Sequence, residues 1–248
     1  MEILCEGCEC EKIEQMIRHT FWSSGRKRIV IGLSGGIDSA LAGVLSSKAI
    51  GGENVYGYFL PSDITPEIDK KDVEDLCNKF GINLAIVPIS PILRSFEAIP
   101  GYNETKYLKG NLMARIRMTL LYYYANLNEG LVCGTSNKTE YLLGYSTKHG
   151  DEAADIQPLL HLYKTDVHRL AKEAGIPETI LNKEPSAGLY TGQTDEDEIG
   201  FSYEEIDAAL RSLEQNGWKA SGNTEEDILE KVKNTAHKRN RPPNLLKF

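Results

Sequence analysis

The stretch Lys27 to Leu33, KRIVIGL, runs without a break into Ser34-Gly35-Gly36-Ile37-Asp38-Ser39 and then into ALAGVLSSKAI. The first part is a short apolar run that reads as a buried strand, and the last, apolar on most sides, suits a helix packed against a sheet. Further strands alternate with helices at similar spacing downstream, and parallel strands need crossovers. The pattern therefore predicts an α/β fold, an open parallel sheet with helices on both faces.

The elements can be placed along the chain. Ile13, Met16, Ile17 and Phe21 have helical spacing within Glu11 to Trp22. Val55 to Leu60 reads as a second strand, Pro66 opens a polar amphipathic helix that Gly81 closes after Phe80, and Asn83 to Val87 reads as a third strand. From Glu104 to Asn128 a long helix carries Leu108, Leu112, Ile116, Leu120 and Tyr123 on one face, widened by Met113 and Tyr124. That stripe is broad enough for a sheet and for a partner subunit, although a stripe of this width is more often simply core. Leu131 to Gly134 is the fourth strand, followed by a loop and first helical turn over Thr135 to Glu140, where ligands gather in open α/β sheets. Gly144 to Pro158 reads as polar loop, and Lys164 to Ala174 as a helix closed by Gly175 and Pro177. Glu184 to Gly200 carries five acidic side chains without a clear period and reads as a mobile lid or a solvated linker. Helices over Ser202 to Gln215 and Thr224 to His237 precede a basic tail.

Length and charge narrow the classes. The 248 residues have room for one domain with a full core and not for two large ones, so residues 1–248 are expected to form a single domain. The formal net charge of −8 argues against a nucleic-acid partner, because tracking a phosphate backbone takes a basic balance. No stretch approaches the ~20 apolar residues of a membrane span. The start MEILCEGCECEK has acids and cysteines where a secretory signal has a basic end and an apolar stretch, so a cytoplasmic location is expected. Of the five cysteines, Cys77 and Cys133 read as core filler. Cys5, Cys8 and Cys10 are spaced like part of a zinc knuckle, but a closed site needs four ligands and no fourth stands nearby.

The turn after the first strand has its own chemistry. Small residues at the positive N-terminus of a helix offer unpaired N–H groups to phosphate. Gly35 and Gly36 let the backbone approach closely, Ser34 and Ser39 add hydroxyls, and Asp38 can hold a hard cation such as magnesium. The turn lacks the Lys-Ser/Thr ending of a Walker loop and is too short for the GxGxxG dinucleotide pattern. On these residues alone it is equally a tight turn in which Asp38 is a charge favourable to the helix dipole.

SGGIDSA after a buried strand resembles the loop of the ATP pyrophosphatases, which adenylate a carboxylate or carbonyl oxygen, release pyrophosphate, and let a nitrogen or sulfur nucleophile displace AMP. Over nearly its whole length the chain further resembles the NAD synthetases, through GLSGGIDSA, GNLMARIRM, GTSNKTE, GYSTKHGD, ADIQPL, KEPSAGL, GQTDEDEIGFSYEEID and AHKR in that order. This resemblance implies a Rossmann-like fold of the adenine nucleotide α-hydrolase kind and a homodimer. The activity it implies is amidation of deamido-NAD by ammonia to NAD, with ATP cleaved to AMP and pyrophosphate through a deamido-NAD adenylate. It also implies residue roles. Gly32, Leu33, Ser34, Gly35, Gly36, Ile37, Asp38 and Ser39 would form the ATP phosphate loop, with Thr135, Lys164 and Ser186 as further ATP contacts. Asp38 and Glu140 would hold magnesium, and with Lys164 would form the catalytic set. Arg115, Lys148, Asp155, His237 and Lys238 would contact deamido-NAD.

Taken without the resemblance, Arg115 reads as a surface charge, Lys148 as a solvated loop residue, Asp155 as a turn former, and His237-Lys238 as charges favourable to a helix C-terminus. Ser186 stands where threonine is common in the family, and the early cysteines fall outside the family pattern. Glutamine-dependent members carry a further amidase domain with a cysteine nucleophile, which needs more than 248 residues, so free ammonia is the expected donor. Two rivals remain. A tRNA-thiolating ATP pyrophosphatase is opposed by the acidic charge and the later motifs, and a non-catalytic ATP-binding module needs neither Glu140 nor the basic dinucleotide contacts.

Overall fold

The computed structural model describes residues 8–186, 188, 190, 192 and 194–240. Helix α1 (Glu9–Ser23) leads into β1 (Arg28–Gly32), α2 (Ile37–Ile50), β2 (Val55–Phe59), α3 (Glu67–Phe80), β3 (Asn83–Ile86), α4 (Ser90–Ser95), α5 (Lys106–Leu127) and β4 (Gly130–Cys133). Then follow α6 (Lys138–Leu143), α7 (Lys164–Ala174), α8 (Glu178–Leu181), α9 (Asp195–Ile199), α10 (Tyr203–Gln215), α11 (Asn223–Asn234) and α12 (Ala236–Arg239). Among the described residues no helix is long and apolar enough to cross a membrane.

All strand pairs are parallel, in the order β3-β2-β1-β4. The chain winds one way from β1 through β2 to β3, then returns by α5 to lay β4 on the other side of β1. The winding reverses at β1, so the loops leaving the C-terminal ends of β1 and β4 diverge and open the crevice where such sheets bind ligands.

Side chains alternate across the sheet as the period of two requires. Ile29 and Ile31 of β1 enter the core formed with Ile17 and Phe21 of α1, Leu41 and Leu45 of α2 and Leu170 of α7. Val30, between them, enters the opposite core with Met113, Ile116 and Leu121 of α5. Each such fully buried side chain contributes about 1.5–3 kcal/mol relative to exposure. Eleven of the fourteen residues of α2 are buried, as its sequence predicts. Leu33 closes β1 and is held between two glycines: a Cβ on Gly57 would lie 2.6 Å from Leu33 Cδ1, and one on Gly43 3.2 Å from Leu33 Cδ2. That socket fixes where the chain leaves the sheet.

A third cluster lies outside the sheet. Tyr203, Ile206, Leu210 and Leu213 of α10 and Ile228 and Val232 of α11 pack with Leu143 and Tyr163, which flank α6 and α7. The C-terminal helices thereby rest on the two helices that follow β4.

Several expectations are corrected. On α5 the core-facing stripe is Met113, Ile116, Met118, Leu121 and Ala125, whereas Leu108 and Tyr123 are 46% and 60% exposed. Apolar residues occupy so much of this helix that periodicity does not single out one face. The acidic segment contains α9, capped by Thr194, whose hydroxyl accepts the Asp197 N–H (3.3 Å), and ended by Gly200 at φ 87°. Acids in its first turn suit the positive helix end. The last helix breaks at Thr235, whose hydroxyl donates to Lys231 O (3.0 Å) and which packs so close to Gly144 that a Cβ there would lie 2.4 Å from Thr235 Cβ. Cys8 and Cys10 do not share a site: exposed Cys8 caps α1, with its N–H donating to Glu11 Oε2 (3.1 Å), while Cys10 enters the core. Residues two apart on a helix do not face each other. Cys5 lies outside the described residues. Cys77 and Cys133 are core residues whose thiols burial pushes up to about 12.

Candidate active site

The turn after β1 forms a cup at the N-terminus of α2. Gly35 has φ 84°, a region natural to glycine, and a Cβ there would meet Asp69 Cβ at 3.0 Å. Ser34 N–H donates to Ser39 Oγ (3.2 Å), Gly36 N–H to Ser34 Oγ (3.2 Å), and Ser39 Oγ to Gly36 O (3.0 Å). Gly36 is the N-cap of α2, which puts Asp38 and Ser39 in its first turn.

Across the crevice, the turn after β4 ends in α6. Its N-cap, fully buried Asn137, accepts the Glu140 N–H through Oδ1 (2.9 Å) and donates through Nδ2 to Asp38 Oδ1 (2.8 Å). One amide therefore holds the Asp38 carboxylate and the backbone that carries Glu140. The third member, Lys164 at the start of α7, is buried with its Nζ 2.5 Å from Asp38 Oδ2 and 3.1 Å from Glu140 Oε1. The three residues named as catalytic from the sequence thus converge at the ends of β1 and β4, although 126 positions separate Asp38 from Lys164.

The electrostatics of the trio are coupled. Burial works against the Lys164 ammonium, but Asp38 and Glu140 outweigh it and hold the ammonium above its usual range. Burial pushes the Glu140 carboxyl up to about 7, Asp38 adds to the rise, and Lys164 opposes it. Between the ordinary value of 4.5 and 7 the folded chain therefore holds a proton that the unfolded chain has released. Stability should fall as pH rises through that window and level off above it. Denaturant melts of wild type and Glu140→Gln at pH 5, 6, 7 and 8 test this: the variant should lose this part of the slope, and an identical slope in both would refute the assignment.

Two convergent carboxylates suit a hard cation, and the ammonium between them already marks a position where positive charge is favoured. Among the described residues no cluster of three or more His, Cys, Asp or Glu side chains forms a closed ligand cage. A pair of carboxylates with the remaining positions left to water and substrate phosphates is how magnesium is usually held at nucleotide sites. Asp38 and Glu140 fit that role.

The trio has a buried support that sequence reasoning missed. Asp207 of α10, 2% exposed, accepts Thr139 Oγ1 through Oδ1 (2.5 Å) and Thr165 N–H through Oδ2 (2.8 Å), while Thr139 Oγ1 accepts the Lys164 N–H (3.0 Å). It joins the first turns of α6 and α7, and so the backbones that carry Glu140 and Lys164. Lys164 Nζ also lies 5.1 Å from the centre of the Tyr203 ring, and the Tyr203 hydroxyl donates to buried Asp195 (2.9 Å). The Tyr145 hydroxyl reaches Asp195 Oδ1 (3.2 Å) and Glu198 Oε2 (2.5 Å), tying α9 to the loop after α6. One signal was legible: Asp207 stands among Tyr203, Ile206, Leu210 and Leu213 on the core stripe of α10, where a carboxylate needs buried partners.

The remaining residues named from the sequence divide. Thr135 is half-buried in the turn after β4. Ser186 is exposed, its hydroxyl accepting the Gly188 N–H (3.1 Å), and it is not drawn into the trio. Arg115, exposed on α5, donates from Nε and Nη2 to Lys148 O (3.3 and 3.2 Å); Lys148 Nζ donates to His237 O (2.7 Å); and Lys238 Nζ donates to Gly144 O and Ser146 O (both 2.7 Å). Three of the five proposed dinucleotide contacts, Arg115, Lys148 and His237, are thus linked, and Lys238, next in the chain, is anchored to the loop after α6. Asp155 stands apart, with Oδ2 accepting the Val132 N–H (2.8 Å) and Oδ1 the Tyr122 hydroxyl (3.4 Å). A hollow along α5 lined by Met118, Tyr122, Tyr123 and His149 includes the tyrosine that touches Asp155 and the neighbour of Lys148.

Comparisons with known proteins identify a family. The NAD synthase family profile matches residues 9–242. An NH3-dependent NAD synthetase of Methanoregula boonei is 55% identical over 240 residues, covering 97% of both chains. Among solved structures, an NMN synthetase from Francisella tularensis superposes with TM-score 0.87 at 37% identity, covering 96% of this chain and 97% of that one. An NH3-dependent NAD synthetase from Campylobacter jejuni does so with TM-score 0.82 at 34% identity, covering 96% and 98%. By the profile match over residues 9–242 and the 55% identity to the Methanoregula boonei relative, the chain belongs to the NAD synthase family.

Proposed function

We propose that the chain amidates deamido-NAD with ammonia to give NAD, cleaving ATP to AMP and pyrophosphate. The observation that carries this reading is the convergence of Asp38, Glu140 and Lys164 beside a helix N-terminus lined with N–H groups. A free carboxylate is a poor electrophile, and its amidation near neutral pH needs a leaving group. The nicotinate oxygen attacks the α-phosphorus of ATP and the α–β bridging bond breaks toward pyrophosphate. Ammonia then attacks the carbonyl carbon, AMP departs with the C–O electron pair, and the nitrogen sheds its extra proton to solvent.

In the first step the N–H groups of Ser34 to Asp38, the hydroxyls of Ser34 and Ser39, and the Lys164 ammonium stabilise charge on the departing pyrophosphate by electrostatics set in advance. Magnesium held by Asp38 and Glu140 supplies further charge neutralisation when bound. Thr135 and Ser186 are the remaining ATP contacts. Arg115, Lys148, Asp155, His237 and Lys238 hold the dinucleotide, and much of the acceleration is positioning at one carbonyl. The segment 184–200, of which residues 187, 189, 191 and 193 lie outside the described residues and α9 is fastened to Tyr145 and Tyr203, excludes water from the acyl adenylate. The protein acts as one domain in the cytoplasm and as a homodimer. Exposed Tyr107, Leu108, Tyr123 and Leu127 along α5 are the apolar surface that supports the dimer.

A second reading comes from the NMN synthetase neighbour: the acceptor would be nicotinate mononucleotide, which lacks the adenylate half. The 55% identity to an NAD synthetase favours the dinucleotide. One assay tests both, following AMP and amide product from ATP, magnesium and ammonium with either acceptor. AMP and NAD from deamido-NAD support the proposal, while ADP and orthophosphate, or turnover of the mononucleotide alone, would sink it. Arg115→Ala is expected to raise the KM for deamido-NAD about 10- to 100-fold through loss of a charged contact, with the KM for ATP unchanged. An unchanged deamido-NAD KM would remove Arg115 from the acceptor site.

A further inference from the structure

We propose that Lys183 is a positioning residue that sets the orientation of the Gly35–Gly36 peptide, and with it the N–H groups offered to ATP; this rests on the reading of residues 34–39 as a triphosphate loop. A peptide between two glycines carries no side chain to resist rotation, and Gly35 at φ 84° already occupies a region open to either orientation. A flip would present a carbonyl oxygen where the phosphate needs a donor. The sequence of the loop does not prevent this, so the restraint has to come from outside it.

Lys183 provides that restraint. Its Nζ donates to Gly35 O (3.0 Å), Asp69 Oδ1 (2.8 Å) and Asp72 Oδ2 (2.9 Å). Three acceptors use all three donors of an ammonium, so Lys183 is committed to the back of the loop and does not serve as a phosphate ligand. In a trans peptide the C=O and the following N–H point in opposite directions. Holding the Gly35 carbonyl against Lys183 therefore turns the Gly36 N–H the other way, where Ser34 Oγ meets it at 3.2 Å.

The two aspartates locate the ammonium. Asp72 is 4% and Asp69 18% exposed at the side chain, and both belong to α3, whose Asp69 stands directly against Gly35. The peg is thus fixed to the sheet-packed part of the fold, while Lys183 itself lies three residues before Ser186. The short segment after α8 supplies both the brace for the loop and the hydroxyl assigned to ATP.

The test compares steady-state kinetics and melting of four proteins: Lys183→Met, the triple Lys183→Met/Asp69→Asn/Asp72→Asn that leaves the cluster uncharged, Asp69→Asn/Asp72→Asn alone, and Ser34→Ala. Both proteins lacking Lys183 should raise the KM for ATP about 10- to 100-fold, as expected for a lost charged hydrogen bond, with the KM for deamido-NAD held within about twofold. In the aspartate-only variant the asparagine oxygens still accept from Lys183 and keep it in place, so the bond to Gly35 and the ATP KM should be kept. A structural peg alone would lower the melting temperature and the active fraction of Lys183→Met but leave its ATP KM at the wild-type value, and that result overturns the inference. The uncharged triple variant gives the same reading if Lys183→Met does not fold. Ser34→Ala separates the two levels: a raised ATP KM there with none on loss of Lys183 defeats the peg and leaves the phosphate loop standing, whereas no change in any variant defeats both.

Discussion

Lys164→Met is expected to lower kcat for AMP formation by about 10²- to 10³-fold, the usual effect of removing one preorganised donor from a developing negative charge. The same change should destabilise the protein by up to about 3–5 kcal/mol, the range seen when one partner of a buried ion pair is removed. In the wild type the ammonium lies 2.5 Å from Asp38 and 3.1 Å from Glu140, and it is the cation that opposes the upward push of burial on Glu140. Without it, Glu140 ionises less readily still. The folded variant then holds its proton over a wider pH range, and its stability should fall more steeply toward high pH than that of the wild type. Melting at pH 6 and pH 8, with rapid-quench measurement of AMP, reads both effects. Near-normal turnover would remove Lys164 from the chemistry, and an equal deficit at the two pH values would contradict the electrostatic account.

Asp207→Ala is expected to cost about 3–5 kcal/mol, which for a chain of this size is a fall of roughly 6–20 °C in Tm. The carboxylate is 2% exposed and holds the Thr139 hydroxyl and the Thr165 N–H. Alanine leaves both donors without an acceptor in the interior. Because those donors begin the helices that carry Glu140 and Lys164, kcat should fall with stability while the KM for deamido-NAD stays unchanged. Asp207→Asn can keep one of the two bonds and should lie between. Calorimetry and steady-state kinetics on both variants decide it, and a Tm within about 2 °C of wild type, less than 1 kcal/mol at this size, would refute the role.

The sequence was most legible where local pattern and chemistry coincide. KRIVIGL, the small-residue turn and the apolar helix after it could be placed because each has its own short-range signature, and β4 with the loop after it followed by the same reasoning. The largely buried α2 and the αL glycine at position 81 after α3 fall where they were expected. The exposed face of α5 was not legible, since a helix apolar on most sides gives no single period. Asn137, Asp207 and Lys183 were missed because their partners lie far along the chain: Asn137 bonds Asp38 across 99 positions, Asp207 bonds Thr139 across 68, and Lys183 bonds Gly35 across 148. Contacts of that kind exist only once the sheet has brought β1 and β4 together. The three early cysteines were readable as a spacing, yet helix α1 sends Cys8 and Cys10 to different surroundings, which spacing alone does not reveal.

The arrangement around Asp155 has a consequence for solubility. On the outer side of β4 the chain makes a single parallel bridge, Cys133 with Ile156, and the Val132 N–H is taken by the Asp155 carboxylate rather than by another strand. A charged group in that place keeps a foreign strand from docking onto the open border of the sheet and extending it from molecule to molecule. Changing Asp155 to a small neutral residue is therefore expected to raise the tendency of the protein to self-associate into aggregates, and, on the proposed reading of Asp155 as an acceptor contact, to weaken recognition of the acceptor as well. Kinetic losses in such a variant become interpretable when light scattering is followed in the same sample.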